Sequence, residues 1–395
     1  MDILLTRVKK LISNCAYYQS EKYDKVRSFE EFPIIDRYEL VKSYQSFVCN
    51  TKPIIYTKTS GSSGIPLRIP WNYNDYLKSL ACLWRLRAKY GIFPTTFQLT
   101  CHCGIDTLGK IVDNPVVVFP NMLSLSKLFY SEDILKEYLR KIELFKPKWI
   151  YAQPSFVYFI GKYITYNKPE LLSGIIYIEL VGELLTPDVK TQIQVMFPNA
   201  HVVNMYGMQE FNGIMYEEKG IMKVIHDNVY VELVDEFGND PGIDKEGDIV
   251  VTGLYNSTFP LIRYNTKDRG KRVILDGVEG YQLTVGRSND QFIWNDVTYD
   301  GSLFFSVLNE YSKRNDRNVI QFQVIYADDC FTVLIFSLNS NIEEYKIEKE
   351  LENIIIDLIG VCLPLKVLVV PSMSDFIKNE NKIKYFINNN IGGKK

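Results

Sequence analysis

The sequence predicts an α/β protein in two unequal lobes, and three observations carry that reading. Between residues 96 and 205, strand-like runs and helix-like periodicities trade places. From about residue 224 the pattern turns to short alternating strands. From 288 to 395 helices and strands mix in a unit of about 100 residues, the size of a small α+β domain. Alternation of strand and helix argues for a mostly parallel sheet, because a parallel pair needs a crossover long enough to hold a helix.

Each element has its own local signal. Residues 1–50 read as a helical lid or collar, in which Pro33 fixes the entry to a short helix over 37–44 and Asp36 caps it. An apolar strand runs out at Tyr56 and gives way to a hydroxyl- and glycine-rich stretch, 56–70. Residues 74–90 place Leu77, Leu80, Ala81, Trp84 and Ala88 at helical spacing, and Gly91 stops them. Strands are expected at 96–100 and 115–119, then a helix opened by Ser131-Glu132-Asp133 that stops before Pro147. Next come a strand at 149–152, a helix at 155–166, a strand at 175–181, a helix at 187–196 and a strand at 201–205. Two loops fall at strand ends, Gly182-Glu183 and 206–210, where open α/β sheets bind ligands. The β-rich stretch covers about 224–287, with a turn at 236–242. The last lobe reads helix 303–313, strands 319–326 and 330–337, helix 343–358 and strand 365–370. The lobes are accordingly bounded at 1–287 and 288–395.

Composition excludes several classes. At ~150 residues per domain, 395 residues suggest two or three domains. The apolar fraction of 46% and charged fraction of 23% are ordinary for a globular chain. With 45 basic against 47 acidic residues, no overall field draws nucleic acid or an anionic membrane. No run reaches the ~18 apolar residues of a membrane span, and the N-terminal charges come after the apolar stretch, the reverse of a secretory signal. A cytoplasmic address is the expectation. Seven cysteines without a C-x-x-C pair fit a reducing compartment. Cys101-His102-Cys103 is the single cluster; neighbours in a strand face opposite ways, so buried cysteines with a pocket histidine are favoured over zinc. The other histidines, His201 and His226, lie beside no nucleophile elbow, which speaks against serine-hydrolase chemistry, and His226 is assigned to the β-rich scaffold.

The stretch 56–70 suits an anion. Gly61 and Gly64 can take positive φ, so successive N–H groups can point inward, while Thr59, Ser60, Ser62 and Ser63 add hydroxyl donors. A flexible connector would carry the same residues. It is not a Walker loop, since Ile65-Pro66 stand where that motif needs lysine and a hydroxyl.

Four further motifs stand in order along the chain: Tyr206-Gly-Met-Gln-Glu210, Pro260-Leu-Ile-Arg-Tyr-Asn-Thr-Lys-Asp268, Gly286-Arg-Ser-Asn-Asp290 and Asn381-Lys382-Ile-Lys384. With the Ser/Gly loop they resemble the adenylate-forming superfamily, in wording the phenylacetate-CoA ligase branch and, through 292–302 and 320–325, adenylating proteins of capsule and O-antigen biosynthesis. The resemblance implies a large N-terminal domain of parallel sheets, helices and a β-rich subdomain, with a small mobile C-terminal domain. It implies that Thr59, Ser60, Gly61, Ser62, Ser63 and Gly64 hold the phosphates of ATP, that Glu210 ligates Mg²⁺, and that Tyr206 stacks on adenine. Gly182, Glu183, Gly207 and Gln209 would line the same pocket, Asp268 would hold the ribose, Arg287 would steady the nucleotide near the hinge, and Lys382 would stabilise charge during adenylation. His102 and Asn204 are expected in the acid pocket. The chain departs from the pattern at Gln209, Lys267, Asn289 and Asn381, and Lys384 competes with Lys382 for the adenylation role.

The implied function is carboxylate activation to an acyl-adenylate, then transfer to an amine or thiol: a sugar amine, a carrier protein or CoA. An aryl or arylacetate-CoA ligase is the alternative. A catalytically silent nucleotide-binding scaffold is a third reading, supported by the four departures. The acid is out of reach of the sequence, and monomer and dimer both stay open.

Overall fold

The computed structural model describes residues 3–390 except 20–22, 24, 50–54, 59–66, 103–113, 128–130, 184, 186, 285–290, 302, 316–318, 338–342, 372–375, 377, 380–381 and 384. The chain opens with α1 (Ile3–Ile12), two single turns of 3₁₀ helix, α2 (Arg37–Lys42) and α3 (Tyr44–Phe47). Asp36 caps α2 as its spacing predicts, accepting from the Glu39 N–H at 2.9 Å. The helix expected over 37–44 breaks at Ser43, whose ψ of 19° ends one helix while it opens the next.

The hairpin β1 (Ile55–Lys58) and β2 (Arg68–Trp71) brackets the Ser/Gly stretch and leads to α4 (Tyr73–Ala88). Asn72 caps α4 by accepting from the Asp75 N–H. Then come β3 (Gln98–His102), β4 (Val116–Phe119), β5 (Met122–Ser126), α5 (Glu132–Phe145), β6 (Trp149–Ala152), α6 (Pro154–Asn167), β7 (Tyr177–Val181), α7 (Pro187–Met196) and β8 (His201–Met208). Ser131 opens α5 and left-handed Lys146 closes it before Pro147. β5, β3, β6, β7 and β8 are parallel neighbours, the arrangement the strand–helix alternation predicts.

Three differences from the sequence reading have local causes. β3 starts two residues late, because Thr96 is spent on a turn, its hydroxyl accepting from the Phe93 N–H. β5 went unread, since its Met-Leu-Ser-Leu-Ser wording carries little β-branching. The stretch 206–208 is strand rather than loop. A bulge at Tyr206/Gly207 lets β8 continue into β9 (Asn212–Glu218), and Gly207 is required there: a Cβ would sit 2.2 Å from the Asn212 carbonyl oxygen.

β9 is antiparallel to β8 and begins a run of β10 (Ile221–Val224), β11 (Val229–Val234), β12 (Glu246–Gly253), β13 (Tyr264–Leu275) and β14 (Val278–Thr284). The β-rich antiparallel run therefore begins at 212 rather than near 224, and its strands extend the same sheet. Its order is β11-β12-β13-β14-β10-β9-β8-β7-β6-β3-β5-β4. One face of the parallel half packs against α5, α6 and α7 through Leu135, Tyr138, Phe156, Ile160 and Ile193; α4 covers the other through Cys82 and Leu83. The N-terminal collar buries Leu5, Val8, Phe29, Phe32, Leu40 and Phe47 against the antiparallel half.

The C-terminal lobe holds the hairpin β15 (Gln291–Trp294) and β16 (Val297–Asp300), then α8 (Leu303–Asn315), β17 (Val319–Ala327), β18 (Cys330–Ser337), α9 (Glu344–Ile359) and β19 (Leu365–Val369). The short pair β20 (Lys378–Asn379) and β21 (Lys382–Ile383) precedes β22 (Phe386–Asn388). Its sheet runs β19-β18-β17-β22 around Phe292, Phe304, Phe331 and Ile347. Gly360, at φ +69°, closes α9.

Candidate functional site

Parallel strands all present their carboxyl ends to one rim, so the topology gathers there the residues that succeed β5, β6, β7 and β8. At the β8 end, the Tyr206 hydroxyl donates to Asp268 Oδ2 at 2.8 Å, which brings together two residues 62 apart that the sequence assigns to one nucleotide. The turn before Asp268 explains the lysine where the related motif has glycine. Lys267 takes φ +63°, and the Asn265 side chain accepts its N–H at 2.8 Å while Thr266 Oγ1 accepts that of Asp268 at 3.1 Å. Those two bonds hold a backbone that glycine would reach freely.

Glu210 lies two residues past β8, only 3% exposed, with Arg37 Nη1 3.6 Å from its Oε1. Arg37 comes from the first position of α2, so the Asp36 cap places it. No motif in the sequence points to Arg37. Thr57 Oγ1 donates to the Gln209 carbonyl at 2.9 Å, which stitches β1 to the turn beside Glu210. Gln209 itself is exposed. Thr59, Ser60, Gly61, Ser62, Ser63 and Gly64 lie outside the described residues, as do Arg287 and Lys384. The backbone of Lys382 pairs with Asn379 in the β20–β21 turn.

At the β7 end, Gly182 takes φ +79° and turns Glu183 inward. Glu183 Oε1 stands 3.2 Å from Lys127 Nζ, and its Oε2 accepts the Ser155 N–H at 3.2 Å, in the first turn of α6. Burial works to raise its pKa; the Lys127 ammonium and bonds from Ser155 and Tyr385 outweigh that and hold it below the ordinary glutamate value. Tyr385 belongs to the C-terminal lobe, so Glu183 faces that lobe.

The residues expected in the acid pocket stand apart from each other. His102 is 8% exposed, with Nδ1 2.9 Å from Ser124 Oγ and Nε2 3.1 Å from the Asn114 carbonyl, and burial lowers its pKa. Asn204 is half-buried, opposite Leu180 in the β7–β8 ladder. Cys101 lies beside Gln153 on the other face of β3 from His102, and Cys103 is outside the described residues. His226, assigned to the scaffold, sits exposed in the turn between β10 and β11.

One buried pair escaped the sequence reading. The Arg87 guanidinium, from α4, donates to Glu179 on β7 through Nε at 2.8 Å and Nη2 at 2.7 Å. Trp84, Trp149 and Tyr151 surround it at 4.6, 5.1 and 5.4 Å, and the Tyr177 hydroxyl donates to Glu179 at 3.2 Å. Burial opposes the Arg87 charge, and Glu179 overrides it, raising the pKa. No sequence motif singles out Arg87, and nothing local marks Glu179 as its partner.

A divalent cation fits the Glu210 end. Among the described residues no group of three or more His, Cys, Asp or Glu forms a metal cage. Mg²⁺ asks for less, since it binds through one or two carboxylates plus substrate phosphates and water. Glu210 supplies such an oxygen donor.

Comparisons with known proteins converge. A crystal structure of 2-hydroxyisobutyryl-CoA ligase in its postadenylation state with 2-HIB-AMP superposes with a TM-score of 0.74, covering 98% of this chain and 88% of that one at 16% identity. The chain has the adenylate-forming ligase fold. The TM-score falls to 0.59, at the same coverage, against that ligase with 2-HIB-AMP and CoA in the thioesterification state. Anthranilate-CoA ligase AuaEII with anthranoyl-AMP shares the adenylate-forming fold at a TM-score of 0.57 and 15% identity, covering 83% of this chain and 65% of that one. In sequence, Protein CapK of Staphylococcus aureus is 24% identical over 267 residues, which is 63% of this chain and 55% of CapK, so the match spans about half of that relative's length. No protein-family model matches the chain.

Proposed function

We propose that this protein is an ATP- and Mg²⁺-dependent carboxylate-activating ligase that forms an acyl-adenylate and passes the acyl group to an amine or thiol. The observation that carries the reading is the Tyr206–Asp268 hydrogen bond beside buried Glu210 at the carboxyl rim, reached from the far side by the β1 strand that leads into the Ser/Gly loop. A carboxylate oxygen of the acid attacks the α-phosphorus, the bond to the bridging oxygen breaks, and pyrophosphate leaves. Bringing two anions together needs cations and donors. Residues 59–64 would cradle the phosphates with hydroxyl and N–H groups, Asp268 and Tyr206 would fix the nucleoside, and Gly182, Gly207 and Gln209 would shape the pocket wall. Glu210 would hold Mg²⁺, which offsets phosphate charge when bound. Lys382 would meet the developing charge from the C-terminal lobe, and Arg287 would steady the nucleotide at the junction of lobes 1–287 and 288–395.

The acceptor divides two readings. The capsule-type wording of 292–302 favours an amine on a sugar or a carrier thiol, in surface polysaccharide synthesis. CoA is favoured by the likeness to CoA ligases. Carboxylate-dependent pyrophosphate exchange over an acid panel tests the first half-reaction, and ATP binding without exchange for any acid overturns it in favour of a silent scaffold. AMP release that depends on added CoA assigns the acceptor. No described helix is long and apolar enough to cross a membrane.

A further inference from the structure

Building on the ligase reading, we propose that Tyr385 is a positioning residue: its hydroxyl bonds Glu183 across the lobe boundary and seats the C-terminal lobe, which carries Lys382, against the carboxyl rim.

Tyr385 stands three residues after Lys382, immediately before β22. Its carbonyl accepts the Val324 N–H of β17 at 2.7 Å, and its ring lies 5.4 Å from that of Phe322. The phenol is thus fixed to the sheet of its own lobe. Gln321, 5% exposed on β17, also bonds the hydroxyl. Across the boundary stands Glu183, whose carboxylate is already aimed by Lys127 and the Ser155 N–H. These two supports come from the ends of β5 and β6, so three strand ends converge on the point that receives the phenol.

The bond has a defined polarity. Burial and the facing Glu183 carboxylate raise the phenol's pKa well above its usual value, while Lys127 lowers that of Glu183, so Tyr385 donates and Glu183 accepts. Water is excluded, with Lys127 4% exposed, so a charge-assisted bond here is stronger than at a surface. Boundaries between lobes of one chain resemble transient interfaces, where one such anchor can set the preferred orientation. The better superposition on a postadenylation structure than on a thioesterification one agrees with an anchored adenylation arrangement.

Tyr385→Phe keeps the ring and removes the donor; Glu183→Gln keeps an acceptor and removes the charge. In the full chain, hydrogen–deuterium exchange is expected to quicken about tenfold or more over 319–327 and 153–157 together in Tyr385→Phe. With whichever acid supports exchange in the wild type, kcat for pyrophosphate exchange is expected to fall about tenfold, with KM for ATP within about twofold. Glu183→Gln should fall between the two. A role in folding alone would lower apparent kcat only with the folded fraction, leaving kcat per folded molecule unchanged, and would quicken amide exchange throughout both lobes rather than at the boundary. Amide protection equal to wild type on both sides of the boundary overturns the proposal, as does unchanged kcat. If no acid supports exchange in the wild type, the ligase reading fails, and the amide-exchange comparison still decides whether Tyr385 seats the lobe.

Discussion

The middle and the end of β7 carry two buried carboxylates four residues apart, and they are bonded in opposite styles. Glu179 is closed: a guanidinium grips both oxygens, Tyr177 adds a third bond, and aromatic rings seal the arginine. Glu183 is open to the other lobe: a lysine point charge and the Ser155 N–H and hydroxyl hold it, and Tyr385 bonds it from the C-terminal lobe. Planar bidentate pairing fixes a structure, whereas an ammonium on a flexible stem leaves a carboxylate able to exchange partners. Both carboxylates are buried and fully bonded, so burial does not separate them; what does is that the partners of Glu179 come from within one lobe, whereas one partner of Glu183 comes from the other.

The sharpest test removes the closed pair. Glu179→Ala leaves Arg87 charged in a dry pocket and should cost about 3–5 kcal/mol in urea unfolding. A cost under about 1 kcal/mol would put Glu179 in the same class as exposed pairs and dissolve the contrast. Next in size, Tyr206→Phe extends the open style to the β8 end. Asp268 loses its donor there, so KM for ATP should rise about tenfold with unchanged melting temperature. If instead the melting temperature drops and KM holds, that bond is scaffold. A smaller effect is expected from Asp36→Ala, which removes the cap of the helix that carries Arg37: about 1 kcal/mol by chemical denaturation. The slightest effect is a slope. Because Glu183 has its pKa depressed in the folded state, its stabilisation is complete above the unfolded value of about 4.3 and fades as pH falls through the depressed one. Glu183→Gln should flatten the stability–pH curve in that acid window only, and an unaltered curve would mean Glu183 is not held as charged.

Most of the fold was legible because its signals are local. Asp36 and Ser131 are caps that read the same way in sequence and structure, and α7 matches its expected span of 187–196. The strand ends that meet at the rim were legible through the alternation that implies parallel pairing. What escaped depends on distance in sequence. Arg87 meets Glu179 across 92 residues, Arg37 meets Glu210, and Tyr385 meets Glu183, and none of these pairs has a spacing that a local pattern encodes. The continuation of β8 escaped for a different reason: Tyr206-Gly207 looks like a turn, and only the approach of Asn212 reveals that the glycine serves a bulge.

β8 bonds in parallel to β7 on one side and antiparallel to β9 on the other. This joins everything from β4 to β11 in one hydrogen-bonded ladder, with the bulge at Tyr206/Gly207 at the seam between the two pairing modes. Asp268 on β13 and the turn after β7 that carries Glu183 therefore hang from one continuous sheet, whereas Tyr385 reaches Glu183 from a separate one.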